Sequence, residues 1–238
     1  MTMEPPLPTE PFESRLVRAA RLACHEWDLP TADLESWVLG PLTPDLLAGL
    51  DRGFHEGSLI IVGTTFRLRD LPPKKGPYTL FTRHADRRTL TPNVEYFVEV
   101  AEFLRLIRSL GPLGFSIGFE DKLMDITVRL DGALAWFIEA KETSAKVQAL
   151  LDEMALYGAA VPLTLADRGI DGLRKAKYLI EHRPAYFSTV AVGRRDDFRV
   201  DYVSATSFRL ARLATEPDAE ELRAAAIEWQ GGATLGLR

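Results

Sequence analysis

Cysteine is nearly absent from this 238-residue chain: Cys24 stands alone, which excludes an internal disulfide and any CxxC pair. The four histidines, His25, His55, His84 and His182, are scattered at no ligand spacing, so no Cys/His zinc cluster is readable. No apolar run approaches the roughly 18 residues that span a bilayer, and the opening MTMEPPLPTEP is proline-rich and acidic rather than basic and apolar. These absences predict a soluble, cytoplasmic protein in a reducing setting, with no membrane partner. A basic excess is also missing: the net charge of -5 speaks against coating nucleic acid through bulk electrostatics. Internal repeats and long low-complexity segments are absent as well.

What is present is a hydrophobic content of 46%, enough at this length to bury one sizeable core, or a core with an accessory lobe. Charge is uneven. Residues 65–90 carry Arg67, Arg69, Lys74, Lys75, Arg83, Arg87 and Arg88 against Asp70 and Asp86, whereas Glu216 to Glu228 is acidic. The basic segment is read either as a phosphate contact or as ordinary solvated surface.

Phe12, Leu16, Ala19, Ala20, Ala23 and Trp27 recur at helical spacing and predict a first amphipathic helix that ends before Pro30. Short helices follow around Asp33–Leu39 and Pro44–Arg52. Residues 58–69 and 78–83 read as an extended pair joined by a Pro/Gly loop. A soft boundary near residue 90 separates this helical and β lobe (1–90), expected to pack on the rest, from an α/β core with a helical tail (91–238).

In that core, Thr91 as N-cap and Pro92 at the first helical position introduce a helix running to Gly111-Pro112. Phe97, Val100, Ala101, Leu104 and Ile107 form its apolar face; Glu95, Glu99 and Glu102 share another, read as solvated. Three short strands follow, 114–119, 123–130 and 134–142, the last two joined through Asp131-Gly132. A helix from Ser144, its expected cap, to Gly158, a helical turn within 171–182, and strands at 185–193 and 198–205 complete the order α-β-β-β-α-β.

Asp125 and Glu139 interrupt apolar strands, and alternation puts Glu139 and Lys141 on one face with Ala135 and Phe137. Where Asp125 falls depends on the turn. A two-residue Asp131-Gly132 loop pairs it with Ile138, on the wrong side; a three-residue loop from Leu130 to Gly132, or an equivalent bulge, brings both carboxylates to one face. Two carboxylates side by side in a partly buried sheet need a compensating cation or proton, and Mg2+ suits such oxygen ligands, with Mn2+ as a substitute. The backbone carbonyl of Ala140 lies between them as a third candidate ligand. Two metal-binding acids plus a lysine that orients water or stabilises charge meet the needs of phosphodiester hydrolysis.

Asp125, thirteen intervening residues, then Glu139-Ala140-Lys141 resembles the PD-(D/E)XK, or restriction endonuclease-like, nuclease superfamily, with Met124 where the motif often has proline. The resemblance covers residues 94 to about 193 and implies an α/β fold with a mixed sheet flanked by helices. It also implies an acid from the first core helix, for which Glu95 and Glu99 are the nearest candidates, and a polar residue on the helix after the lysine, at Gln148 or Lys146. The expected activity is that of a Mg2+-dependent endonuclease acting on nucleic acid, DNA favoured, in which Asp125 and Glu139 bind metal and Lys141 assists water. Many members act as homodimers on duplex DNA, so a homodimer is the assembly to test. The alternative is a catalytically silent subunit of the same fold that binds nucleic acid or assembles a complex.

Overall fold

The apolar spacing at the start of the chain does form a helix, α1 (Phe12–Trp27), in the computed structural model, and Phe12, Leu16, Ala20 and Ala23 on its inner stripe are fully buried. It stops at Asp28, whose φ of 51° is left-handed. The structure describes residues 10–235 except Pro73, Ala85, Arg87, Lys122 and Leu123. The chain divides into two compact units, Met1–Arg105 and Leu106–Arg238.

In the first unit, α2 (Leu34–Leu39) and α3 (Pro44–His55) follow α1. The start of α3 is fixed by Pro44 in the first turn and by Thr43, whose Oγ1 accepts from the Leu46 N–H. The single strand expected over 58–69 is a hairpin instead, β1 (Leu59–Val62) against β2 (Thr65–Leu68), because Gly63 at φ 59° turns the chain between them. The segment 78–83 likewise splits into β3 (Tyr78–Thr79), which pairs with β2, and β4 (Phe81–His84), which pairs with β5 (Thr89–Pro92).

Thr91 and Pro92 therefore belong to a strand rather than to a helix cap, and α4 (Val94–Leu110) begins after Asn93. The acidic face of α4 is not its solvated side. Glu99 is 2% exposed and Glu102 9%, and Glu102 is paired with Arg105 at 2.8 Å.

The second unit is built on one six-stranded sheet. A 3-10 turn (Gly111–Leu113) leads to β6 (Ser116–Asp121), β7 (Met124–Leu130) and β8 (Ala133–Ala140), an antiparallel meander. Two helices, α5 (Ser144–Gly158) and α6 (Asp171–His182), then carry the chain to β9 (Tyr186–Ala191), which runs parallel to β8. The strands β10 (Arg194–Tyr202) and β11 (Phe208–Arg212) extend the sheet, and α7 (Ala219–Leu235) follows. The spatial order is β11-β10-β9-β8-β7-β6, so the protein is mixed α/β with a mixed sheet flanked by helices.

All eight residues of β8 are buried, as expected of a central strand covered on both faces. Phe137 and Phe187, adjacent across the parallel pair, pack with Leu150 and Met154 of α5 and with Leu173, Ala176 and Leu179 of α6. The cap of α5 is Thr143, whose Oγ1 accepts from the Lys146 N–H at 3.3 Å, not Ser144. β11 had no expected counterpart: its alternation, Phe208 and Leu210 inward with Arg209 outward, is only five residues long.

Candidate active site on the central hairpin

The turn between β7 and β8 has two residues, Asp131 at φ 50° and Gly132 at φ 83°, with Leu130 paired to Ala133. By itself this loop sets Asp125 against Ile138. The register shifts, however, between Arg129, which faces Leu134, and Val128, which faces Trp136. Ala135 is thus an extra residue in β8, a β-bulge. Beyond it Ile126 faces Ile138, and one step further Asp125 stands across from Glu139. The bulge reverses the parity that the turn alone would impose, and it also removes Ala135 from the face on which it was expected.

The acids are held in different ways. Asp125, 16% exposed at the side chain, accepts the Ala140 N–H on Oδ2 at 2.8 Å. Glu139, 1% exposed, receives Lys141 Nζ on Oε1 at 2.7 Å. Lys141 lies one residue beyond β8 but stays in line with the sheet, its N–H donating to the Val190 carbonyl at 2.8 Å.

The first turns of α6 complete the cluster with residues that the motif did not include. Lys175, 1% exposed, places Nζ 2.5 Å from Glu139 Oε2 and 3.8 Å from Asp125 Oδ1, over the ring of Phe137 at 5.5 Å. Asp171 takes Lys141 Nζ on Oδ2 at 3.1 Å and Arg174 on Oδ1 at 2.6 Å. Charges therefore alternate along a connected path: Arg174, Asp171, Lys141, Glu139, Lys175, Asp125. A signal for Lys175 does exist in the sequence, since it interrupts the stripe of Gly172, Leu173, Ala176, Leu179 and Ile180 that α6 buries.

Burial pushes the Glu139 carboxyl up to about 8; Asp125 adds to the rise, and Lys175 and Lys141 oppose it. Burial also raises Asp125, against the pull of Lys175, Lys141 and the Ala140 N–H. At Asp171 burial again favours the neutral form, but Lys141, Lys175 and Arg174 together outweigh it and hold the carboxyl below its ordinary value.

Two further expected site residues, Gln148 and Lys146, are on α5. Gln148 on α5 donates to Asp152 and accepts from Arg194, and it lines a separate cavity of about 650 Å³ with Phe198, Phe208 and Arg212. Lys146 pairs with Glu142 at 2.7 Å. Glu95 and Glu99 are on the part of α4 that belongs to the first unit. The basic segment is also in the first unit, where Arg67, Arg69, Lys74, Arg83 and Arg88 are exposed; Arg87 lies outside the described residues.

Among the described residues no group of three or more His, Cys, Asp or Glu side chains forms a metal cage. The two acids nevertheless fit a hard divalent ion: Asp125 Oδ1 and Glu139 Oε2 converge on one cation, the Lys175 ammonium, which stands in for it. Mg2+ is commonly held by one or two carboxylates, its other positions going to water and substrate phosphate. No protein-family model, curated protein or solved structure matches the chain.

Proposed function

We propose that the chain is a metal-dependent phosphodiesterase of the PD-(D/E)XK type that hydrolyses nucleic acid, DNA in the first place. The observation that carries this reading is the juxtaposition of Asp125, Glu139 and Lys141 at the end of one buried hairpin, reached through a β-bulge. Three charged residues at the buried end of a strand pair are unfavourable for folding unless they are compensated, so a chemical role is the economical account of them.

Asp125 and Glu139 would hold Mg2+ or Mn2+ through Oδ1 and Oε2, with the Ala140 carbonyl as the candidate third ligand. The bound ion supplies Lewis-acid polarisation of a phosphoryl oxygen and lowers the pKa of a water. Lys141 Nζ, steered by Glu139 on one side and Asp171 on the other, is placed to orient that water and to stabilise charge on the phosphorane-like transition state. Arg174, 39% exposed at the side chain and tied to Asp171, is the cation next in line toward solvent and would meet the phosphate backbone.

A second reading has its own support. Lys141 and Lys175 pair with Asp125 and Glu139, so the charges of the cluster are compensated without chemistry, as a silent nucleic-acid-binding or assembly subunit would require. Incubation of the protein with single- and double-stranded DNA and RNA in Mg2+, Mn2+ or EDTA, beside Asp125→Ala and Lys141→Ala, separates the two. Metal-dependent cleavage lost in both variants supports the enzyme. Retarded but uncut nucleic acid, with the variants unchanged, supports the silent subunit.

A further inference from the structure

We infer that Lys175 is the residue that sets the cation affinity of this site: its ammonium occupies the locus between Asp125 Oδ1 and Glu139 Oε2 that a divalent ion takes, and must withdraw for the ion to enter. The inference rests on the reading of those two acids as cation ligands.

Three observations carry it. Lys175 approaches both carboxylates, at 2.5 Å from Glu139 Oε2 and 3.8 Å from Asp125 Oδ1, whereas Lys141 takes the other oxygen of Glu139 and is anchored outward by Asp171. The two lysines thus have separate places, and only Lys175 lies between the acids. Second, Lys175 is 1% exposed on the buried stripe of α6, a position where an apolar residue would pack at no electrostatic penalty. Its presence is explained by the negative charge in front of it. Third, with both carboxylates ionised, the form that a cation ligand must take, the charge balance with Lys175 in place is zero: two carboxylates against two ammonium groups. Adding a divalent ion to that arrangement leaves a buried net charge of two, which a low-dielectric site disfavours. Once Lys175 has swung out, the same ion leaves a net charge of one, close to what an incoming phosphodiester would neutralise.

A lysine suits this role better than an arginine. It is a point charge on a flexible four-carbon stem, able to change rotamer and release its contacts, whereas a guanidinium is held by its fork. The ring of Phe137, 5.5 Å below the ammonium, gives it a secondary resting surface. The site is therefore expected to bind divalent ions weakly in the resting protein and more tightly when nucleic acid arrives with its own negative charge.

The test is binding of Mn2+, read as the loss of the free-ion EPR signal on titration of the full chain, for the unaltered protein, Lys175→Met and Lys175→Gln, with thermal unfolding recorded in parallel in Mn2+ and in EDTA. The expected result is Mn2+ binding tightened at least about tenfold in both variants, as removal of a competing charge at this range predicts. Their unfolding temperature should also rise more with Mn2+ than that of the unaltered protein. A variant that unfolds in EDTA and folds in Mn2+ gives the same answer. Variants with unchanged or weaker Mn2+ binding, and no added stabilisation by the ion, overturn the inference. Cleavage is not needed for this readout. Tight Mn2+ binding by the variants, with none of the three proteins cutting nucleic acid, would sink the nuclease reading and leave the role of Lys175 standing. Metal-dependent cleavage by the unaltered protein, with the same Mn2+ affinity in all three, would do the reverse.

Discussion

Asp125 stands across from Glu139 because Ala135 is an extra residue in β8, inserted between the pair Arg129–Leu134 and the pair Val128–Trp136. Each element of this arrangement has a separate origin. The Asp131-Gly132 turn fixes one register through its two left-handed residues, and the bulge then moves the distal half of the hairpin by one position. Since side chains alternate with period two, that single residue decides whether the carboxylates share a face.

The parity of the hairpin can be tested by moving its register. Deleting Ala135 removes the unpaired residue but leaves Val128 against Trp136 and Asp125 across from Glu139, so Mn2+ binding should persist. Inserting one glycine between Val128 and Arg129 in the deleted chain moves the distal half by one position and sets Asp125 against Ala140, with Glu139 on the other face. The expected outcome is loss of ion binding in the double variant and its retention in the single one. Equal ion binding by the two variants would show that parity at this hairpin is unimportant.

Lys141 is predicted to act on the reaction more than on the fold. Lys141→Ala should lower cleavage by about 10²- to 10³-fold, the effect typical of removing one charge-stabilising donor. Mn2+ should still bind, because the ion ligands Asp125 and Glu139 are untouched. Single-turnover cleavage beside the EPR titration checks both halves; an equal loss of both would assign Lys141 to holding the ion.

Asp171 is predicted to be a positioning residue. It holds Lys141 Nζ at 3.1 Å from outside while Glu139 holds it at 2.7 Å from inside. Outer partners of this kind are commonly worth about 10- to 100-fold. Asp171→Asn keeps the size and one acceptor, so cleavage should fall less with it than with Asp171→Ala, and the pH profile of cleavage should move in the alanine variant. Because the Asp171 side chain is 35% exposed, stability should change little. Identical effects from the two substitutions, with unfolding temperatures reduced in parallel, would mark a structural role only.

How much of this was legible in the sequence depends on whether the information is local. The periodicity of α1, the bounds of α5 and the hairpin at Asp131-Gly132 rest on spacings within a few residues, and the structure has them where those spacings put them. The bulge at Ala135 is not of that kind: alanine carries no local mark of an extra residue, and only the requirement that Asp125 and Glu139 share a face pointed to one. Lys175 comes from a helix after the motif, and its contact with Glu139 depends on how α6 packs against β8. Its mark was a charge inside an apolar stripe, which periodicity displays but a search for acids overlooks. The burial of Glu99 was missed for the reverse reason, because a row of acids at helical spacing resembles a solvated face until the packing is known.

Away from the candidate site, Trp136, Ser188 and Asp197 form a buried chain: Trp136 Nε1 donates to Ser188 Oγ at 2.8 Å, and Ser188 donates to Asp197 Oδ1 at 2.5 Å. Ser188→Ala removes a group that is both donor and acceptor and leaves the indole N–H buried. A loss of about 1–3 kcal/mol is expected, since an unsatisfied buried donor carries its desolvation penalty. Asp197 keeps Arg195 at 3.0 Å, so its share of the loss should be small. Denaturant unfolding measures it, and cleavage should be unaffected.

The last prediction concerns pH. In the folded, metal-free protein the Glu139 carboxyl sits at about 8, against an ordinary value near 4.5, because burial and the Asp125 charge outweigh Lys175 and Lys141. Between those two values the folded state binds a proton that the unfolded state has released. Stability changes with pH in proportion to protons bound by the unfolded state minus those bound by the folded state, and that difference is negative here. The contribution of Glu139 is thus fully present below pH 4.5 and is lost as pH rises through about 8. Asp125, raised from its ordinary value as well, adds to the same trend; Asp171, lowered, contributes stability that disappears only as the solution becomes acidic enough to protonate it. Unfolding temperatures in EDTA from about pH 5 to about pH 9 should therefore fall toward the alkaline end, and Glu139→Gln should flatten the slope by removing the titrating group. A slope that is unchanged in the variant would place the proton elsewhere and leave Glu139 ionised between its two lysines.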